Sequence, residues 1–138
     1  MKKLDNRGVA AFEFCVVAGV FFMLVFAIVD FGRYAITMQS LRHLAGAGAR
    51  AMMIACYTPA VTSNNSPSGC TGDYLSSTEK QNTAPFLYAG GLTPTLATTS
   101  GGGMLTVTAS QPGFAMLIPI WGTSLNAPSA STQVPFSP

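Results

Sequence analysis

Apolar side chains run almost unbroken from Val9 to Val29, then thin to alternating spacings of three and four, and finally give way to a stretch rich in Ser, Thr, Gly and Pro. The first pattern is long enough, at about 1.5 Å rise per residue, to cross the roughly 30 Å hydrocarbon core of a bilayer. It outlasts the roughly 7–15 apolar residues of a cleaved secretory signal. The small-x-small triplet at Ala45–Ala47 lies too far downstream to serve as that signal's cleavage site. In the second pattern Phe31, Tyr34, Met38, Leu41, Ala45, Gly48 and Met52 share one helical face, with Arg33, Thr37, Ser40 and Arg50 off it. No proline occurs between Gly8 and Cys56. One helix is therefore predicted to run from the membrane into the next compartment, with Pro59 discouraging its continuation.

The third pattern is less regular. Ala60–Ser77 is rich in turn formers and reads as a loop. Met104–Ser110, "MLTVTAS", alternates Leu105, Val107 and Ala109 with hydroxyl residues, as a strand with one buried face would. A second strand is predicted near "STQVPF", Ser131–Phe136. "SGGGM" before the first strand is read as a flexible lead-in, because a phosphate-binding loop would need a strand before it and a helix after it. Two or three short strands are marginal alone, but the apolar stripe of the helix can cover one sheet face. The predicted fold is α+β, a long N-terminal helix packed on a small antiparallel sheet. It divides into a leader (1–8), a transmembrane helix (9–29), a helical extension (30–56) and a small exported domain (57–138).

Composition narrows the function. Of 138 residues 9% are charged and 49% hydrophobic, a balance suited to an anchored protein rather than a free cytosolic enzyme. Lys2, Lys3, Arg7, Arg33, Arg42, Arg50 and Lys80 are too scattered to form the basic face that nucleic acid requires. Lys2, Lys3 and Arg7 precede the span and predict a cytoplasmic N-terminus. His43 has no cysteine or carboxylate at metal-ligand spacing, so neither metal nor cofactor is expected. No base accompanies a Ser or Cys, and no carboxylates pair as glycoside hydrolysis requires. Asp73 and Glu79 read as solvated loop charges. An enzyme is not expected, and Asn64–Ser66 matches a glycosylation sequon by spelling alone.

Cys56 and Cys70 would close a loop of about 15 residues, where a disulfide contributes on the order of 3 kcal/mol; two unpaired thiols are the alternative. Cys15, inside the span, reads as a small apolar side chain, an intermolecular bridge being the other reading.

Glu13 is the sole charge between Val9 and Val29. A carboxylate at mid-span costs about 2.5–3.5 kcal/mol on insertion scales, less near the edge. It is either protonated or turned toward the headgroups, or else it pairs with a cation from another chain. Cleavage between Gly8 and Val9 would create such a cation, an α-amino group with a pKa of roughly 8.

Gly8, four residues, then Glu13 and Phe14 ahead of an apolar span resemble the prepilin-peptidase site of the type IV pilin class. "VDFGR" and "LRHLAGAGARAMM" narrow the resemblance to the TadE-like proteins of the Tad (tight adherence) pilus system. The resemblance covers roughly Arg7 to Met53. It implies cleavage after Gly8, with Val9 as the new N-terminus and Glu13 and Phe14 docking the subunit beside its neighbours. It further implies a minor pilin, or pseudopilin, of the bacterial inner membrane. Its implied partners are a prepilin peptidase, other pilin and minor pilin subunits, the inner-membrane assembly platform and membrane lipid. Phe14 stands where major pilins of this system usually have Tyr, and Gly19 where many TadE-like chains have proline. The alternative is a signal-anchored envelope structural protein that keeps its leader.

Overall fold

The computed structural model describes residues 7–118 and 122–136. Helix α1 takes in Arg7–Met52. A π-helical turn, Met53–Tyr57, and helix α2, Thr58–Thr62, prolong the same rod. Pro59 thus does not stop the helix where the sequence suggested. The Thr58 N–H bonds back five residues to the Met53 carbonyl, and the widened turn accommodates a ring that would collide with the carbonyl four residues earlier in a regular α-helix. The rod ends at Ser63, whose N–H bonds to the Pro59 and Ala60 carbonyls, and at Asn64, which turns to a φ of 57°.

Burial along this rod changes at Asp30. Between Gly8 and Val29 no residue is buried. From Asp30 onward, Thr37, Leu41, Leu44, Ala45, Ala49 and Met52 all lie inside. Thr37 departs from its expected place off the covered face. Its hydroxyl donates to the Arg33 carbonyl at 2.8 Å, and this bond back to the preceding turn lets a polar residue sit among apolar ones.

Three strands, β1 (Thr95–Gly101), β2 (Met104–Ser110) and β3 (Ser129–Pro135), form an antiparallel sheet in the order β1-β2-β3. Leu105, Val107 and Ala109 are buried on β2, as their alternation predicts. The glycine run corrects the sequence reading: it is a tight turn, not a flexible lead-in. Gly101 and Met104 are paired across it. Gly102 and Gly103 adopt φ of 59° and 74°, the left-handed pair that a two-residue hairpin needs to match strand twist.

The covered face of α1 lies against β2 and β3. Leu41, Leu44, Ala45 and Met52 join Leu96, Leu105, Val107 and Ala109 in one core, with Leu87 added from the 3-10 stretch Pro85–Gly91. Gly48 marks the closest approach. A Cβ built there would lie 2.8 Å from Leu96 Cδ2 and 3.2 Å from Val107 Cγ1.

Between α2 and β1 along the chain lies a short helix α3, Ser77–Thr83, which the turn-rich sequence does not predict. Ser76 and Glu79 form a capping box. The Ser76 N–H donates to Glu79 Oε2 at 2.8 Å, and the Glu79 N–H donates to Ser76 Oγ at 3.3 Å. Glu79 is therefore a structural cap, and Asp73 pairs with Lys80. Neither is merely a solvated loop charge.

Candidate functional site

The opening turns of α1 carry Gly8, Val9, Glu13 and Phe14, all exposed, with Phe14 at 73%. Val9 and Glu13 are four residues apart, one turn along the same face. Among the described side chains Glu13 has no ion-pair partner; the ion pairs are Arg33–Asp30 and Lys80–Asp73. Cys15 is a free, exposed thiol on the same segment. The leader residues Lys2 and Lys3 lie outside the described residues.

Where the bare part of α1 ends, a second acid is treated in the opposite way. Asp30 is 2% exposed. Its Oδ1 accepts from the Leu117 N–H at 3.1 Å and its Oδ2 from the Ile118 N–H at 2.9 Å. Arg33, one turn along, places Nη1 3.3 Å from Oδ1. Burial pushes the carboxyl pKa up, but the Ile118 and Leu117 amides and the Arg33 guanidinium outweigh it, holding the group below its ordinary 3.8. The Arg33 guanidinium also stands 5.4 Å from the Phe114 ring centroid, and Tyr34 packs against the same ring. The arrangement stitches the segment after β2 to the helix. No local sequence pattern marks this role of Asp30, because its amide donors come from 87 and 88 residues away.

Farther along the rod, Cys56 and Cys70 are joined with an S–S distance of 2.02 Å and a Cα–Cα distance of 5.7 Å. The bridge ties the rod's end to the segment that reaches the sheet through the Gly72–Thr98 bridge. Recesses flank the helix among the described residues. One, of about 380 Å³, lies between Arg33, Thr37, Phe86 and Gln111. In it Gln111 Nε2 donates to the Leu87 carbonyl at 2.6 Å, leaving Oε1 without a protein partner among the described residues. Another, of about 420 Å³, is lined by Arg42, His43, Gly46 and Arg50. Among the described residues no group of three or more His, Cys, Asp or Glu could hold a metal ion.

A helix long and apolar enough to cross a membrane, bare in its first part and roofed by a small sheet in its second, defines an α+β protein whose N-terminal segment is consistent with a membrane anchor. Residues 8–50 match the family model described as TadE-like protein. The matched stretch is α1 from its second residue into its last turn, and it identifies this helix as TadE-like, consistent with a protein of the Tad pilus system. That pilus-associated family is structural in character. No curated protein and no solved structure matches the chain.

Proposed function

We propose that the protein is a minor pilin, or pseudopilin, needed for assembly of a Tad-type (Flp) pilus and for surface adhesion. In this reading Val9–Val29 spans the inner membrane once, with the N-terminus cytoplasmic and the sheet domain in the periplasm. A prepilin peptidase cuts after Gly8. The new Val9 amine is then neutralised by Glu13 of a neighbouring subunit, with Phe14 packed beside it. Other pilins, minor pilins and the inner-membrane assembly platform are the partners.

The observation that carries the proposal is Glu13 itself, exposed on a bare apolar helix within a TadE-like segment. An acid left without a partner in lipid is costly. A cationic amine at the same depth in an adjacent copy offsets that cost. Trimming removes Lys2, Lys3, Asp5 and Arg7, leaving Arg33, Arg42, Arg50 and Lys80 against Glu13, Asp30, Asp73 and Glu79. The trimmed side chains carry no net charge, so local pairs rather than a long-range field would orient the subunits.

Intact-mass and N-terminal analysis of membrane-extracted protein is expected to show a chain beginning at Val9. Gly8→Val should abolish that trimming, while Glu13→Gln should be trimmed normally and enter pili several-fold less. A wild-type chain still carrying Met1–Gly8 in a host with the peptidase would instead identify an uncleaved envelope protein. Normal piliation by Glu13→Gln would remove the docking role.

A further inference from the structure

The segment fastened to Asp30 is apolar, and its position follows from what fastens it. From this geometry we propose that Met116–Ile118 rests on the bilayer, with Leu117 in the boundary between headgroups and acyl chains. The exported domain then touches the membrane at a second point beside α1, which sets its tilt. The inference rests on α1 spanning the membrane over Val9–Val29.

Height is the first argument. A span of about 20 residues fills the hydrocarbon core, so Asp30, the next residue, stands at the interface. The amides of Leu117 and Ile118 lie 3.1 and 2.9 Å from its carboxylate oxygens. Their backbone is thereby held at the same level.

Backbone satisfaction is the second. Irregular backbone that leaves water must find internal partners for its N–H groups. Three consecutive amides do so here through side chains: Met116 donates to Asn126 Oδ1 at 3.2 Å, and Leu117 and Ile118 donate to Asp30. The segment can therefore leave water without stranding these three donors.

The third argument is continuity. A single exposed leucine needs no explanation, but Leu117 is 63% exposed at the level where Val29 and Phe31 also present apolar surface. Val29 is the last residue of the proposed span, so this apolar surface stands where the lipid-facing part of α1 ends. Arg33, at the same junction, has a partly exposed side chain, a cation at the level of anionic headgroups.

The test uses the full chain in vesicles of phosphatidylethanolamine and phosphatidylglycerol, in a Cys15→Ser background with Cys56 and Cys70 intact. Nitroxide labels at Leu117→Cys, Val17→Cys and Asn82→Cys are compared by collision with oxygen and with a water-soluble nickel chelate. Positions 117 and 17 should favour oxygen, and position 82 the chelate, which also controls for partitioning of the label. Asp30→Asn should shift position 117 toward the chelate and leave position 17 unchanged. If positions 117 and 82 behave alike while 17 favours oxygen, the seating is wrong and the span survives. If position 17 favours the chelate, both fail. A label at 117 shielded from both reagents until the protein is diluted in lipid would place a neighbouring subunit there and overturn the lipid contact. An unchanged position 117 in Asp30→Asn, with helical content retained, would remove the carboxylate from the role of seating the loop.

Discussion

Glu13 and Asp30 are the two acids of α1, and their surroundings are opposite. Glu13 stands on a bare apolar surface, whereas Asp30 is enclosed and receives two amides and a guanidinium. Because the folded Asp30 carboxyl is held below its ordinary value, its contribution to stability is full above the unfolded pKa of about 3.9. It is lost as pH falls through the lower folded value. Denaturation in detergent should therefore show the wild type losing stability below about pH 4. Asp30→Asn should be less stable at neutral pH and flatter across that acid range. Glu13 was legible in the sequence because a lone charge interrupts an apolar run. The amide donors of Asp30 were not, since they come from 87 and 88 residues along the chain and leave no local pattern.

At the scale of elements, contact between helix and sheet depends on what is missing from Gly48. A β-branched side chain there would be driven into Leu96 and Val107. Gly48→Val is expected to cost about 1–3 kcal/mol, the usual range for overpacking, read from the denaturant midpoint. The three-and-four spacing had already placed Leu41, Ala45, Gly48 and Met52 on the covered face, and alternation had found β2. Strand β1, "TLATTSG", escaped because its inward positions pair Leu96 with a buried Thr98, so that hydroxyl residues fall on both faces and hide the period. The capping box of α3 carried its own signature in Ser76 and Glu79. It was obscured by the turn-forming residues around it. Pro59 misled for a different reason: its usual effect presumes a regular α-helix, and the π-turn before it removes that premise.

Across the whole molecule, the Cys56–Cys70 bridge joins the end of the rod to the segment leading to the sheet. Closing a loop of about 15 residues contributes about 3 kcal/mol. Reduction, or Cys56→Ala with Cys70→Ala, should lower unfolding stability by that order without altering the helical signal of the bare segment. Equilibrium denaturation with and without reductant checks this.

The packing of β3 on α1 also imposes an order in time. The helix emerges early and presents Leu41, Leu44 and Met52, yet part of their roof is the strand that begins at Ser129. In the proposed topology the chain crosses the membrane with that apolar face uncovered until β3 arrives. Contacts so far apart in sequence close slowly. A chain stopped before Ser129 should therefore be cleared by envelope proteases, and pulse-labelling would show its half-life fall well below that of the full chain. The periplasm would in this way inspect each subunit for completeness before any filament could take it up.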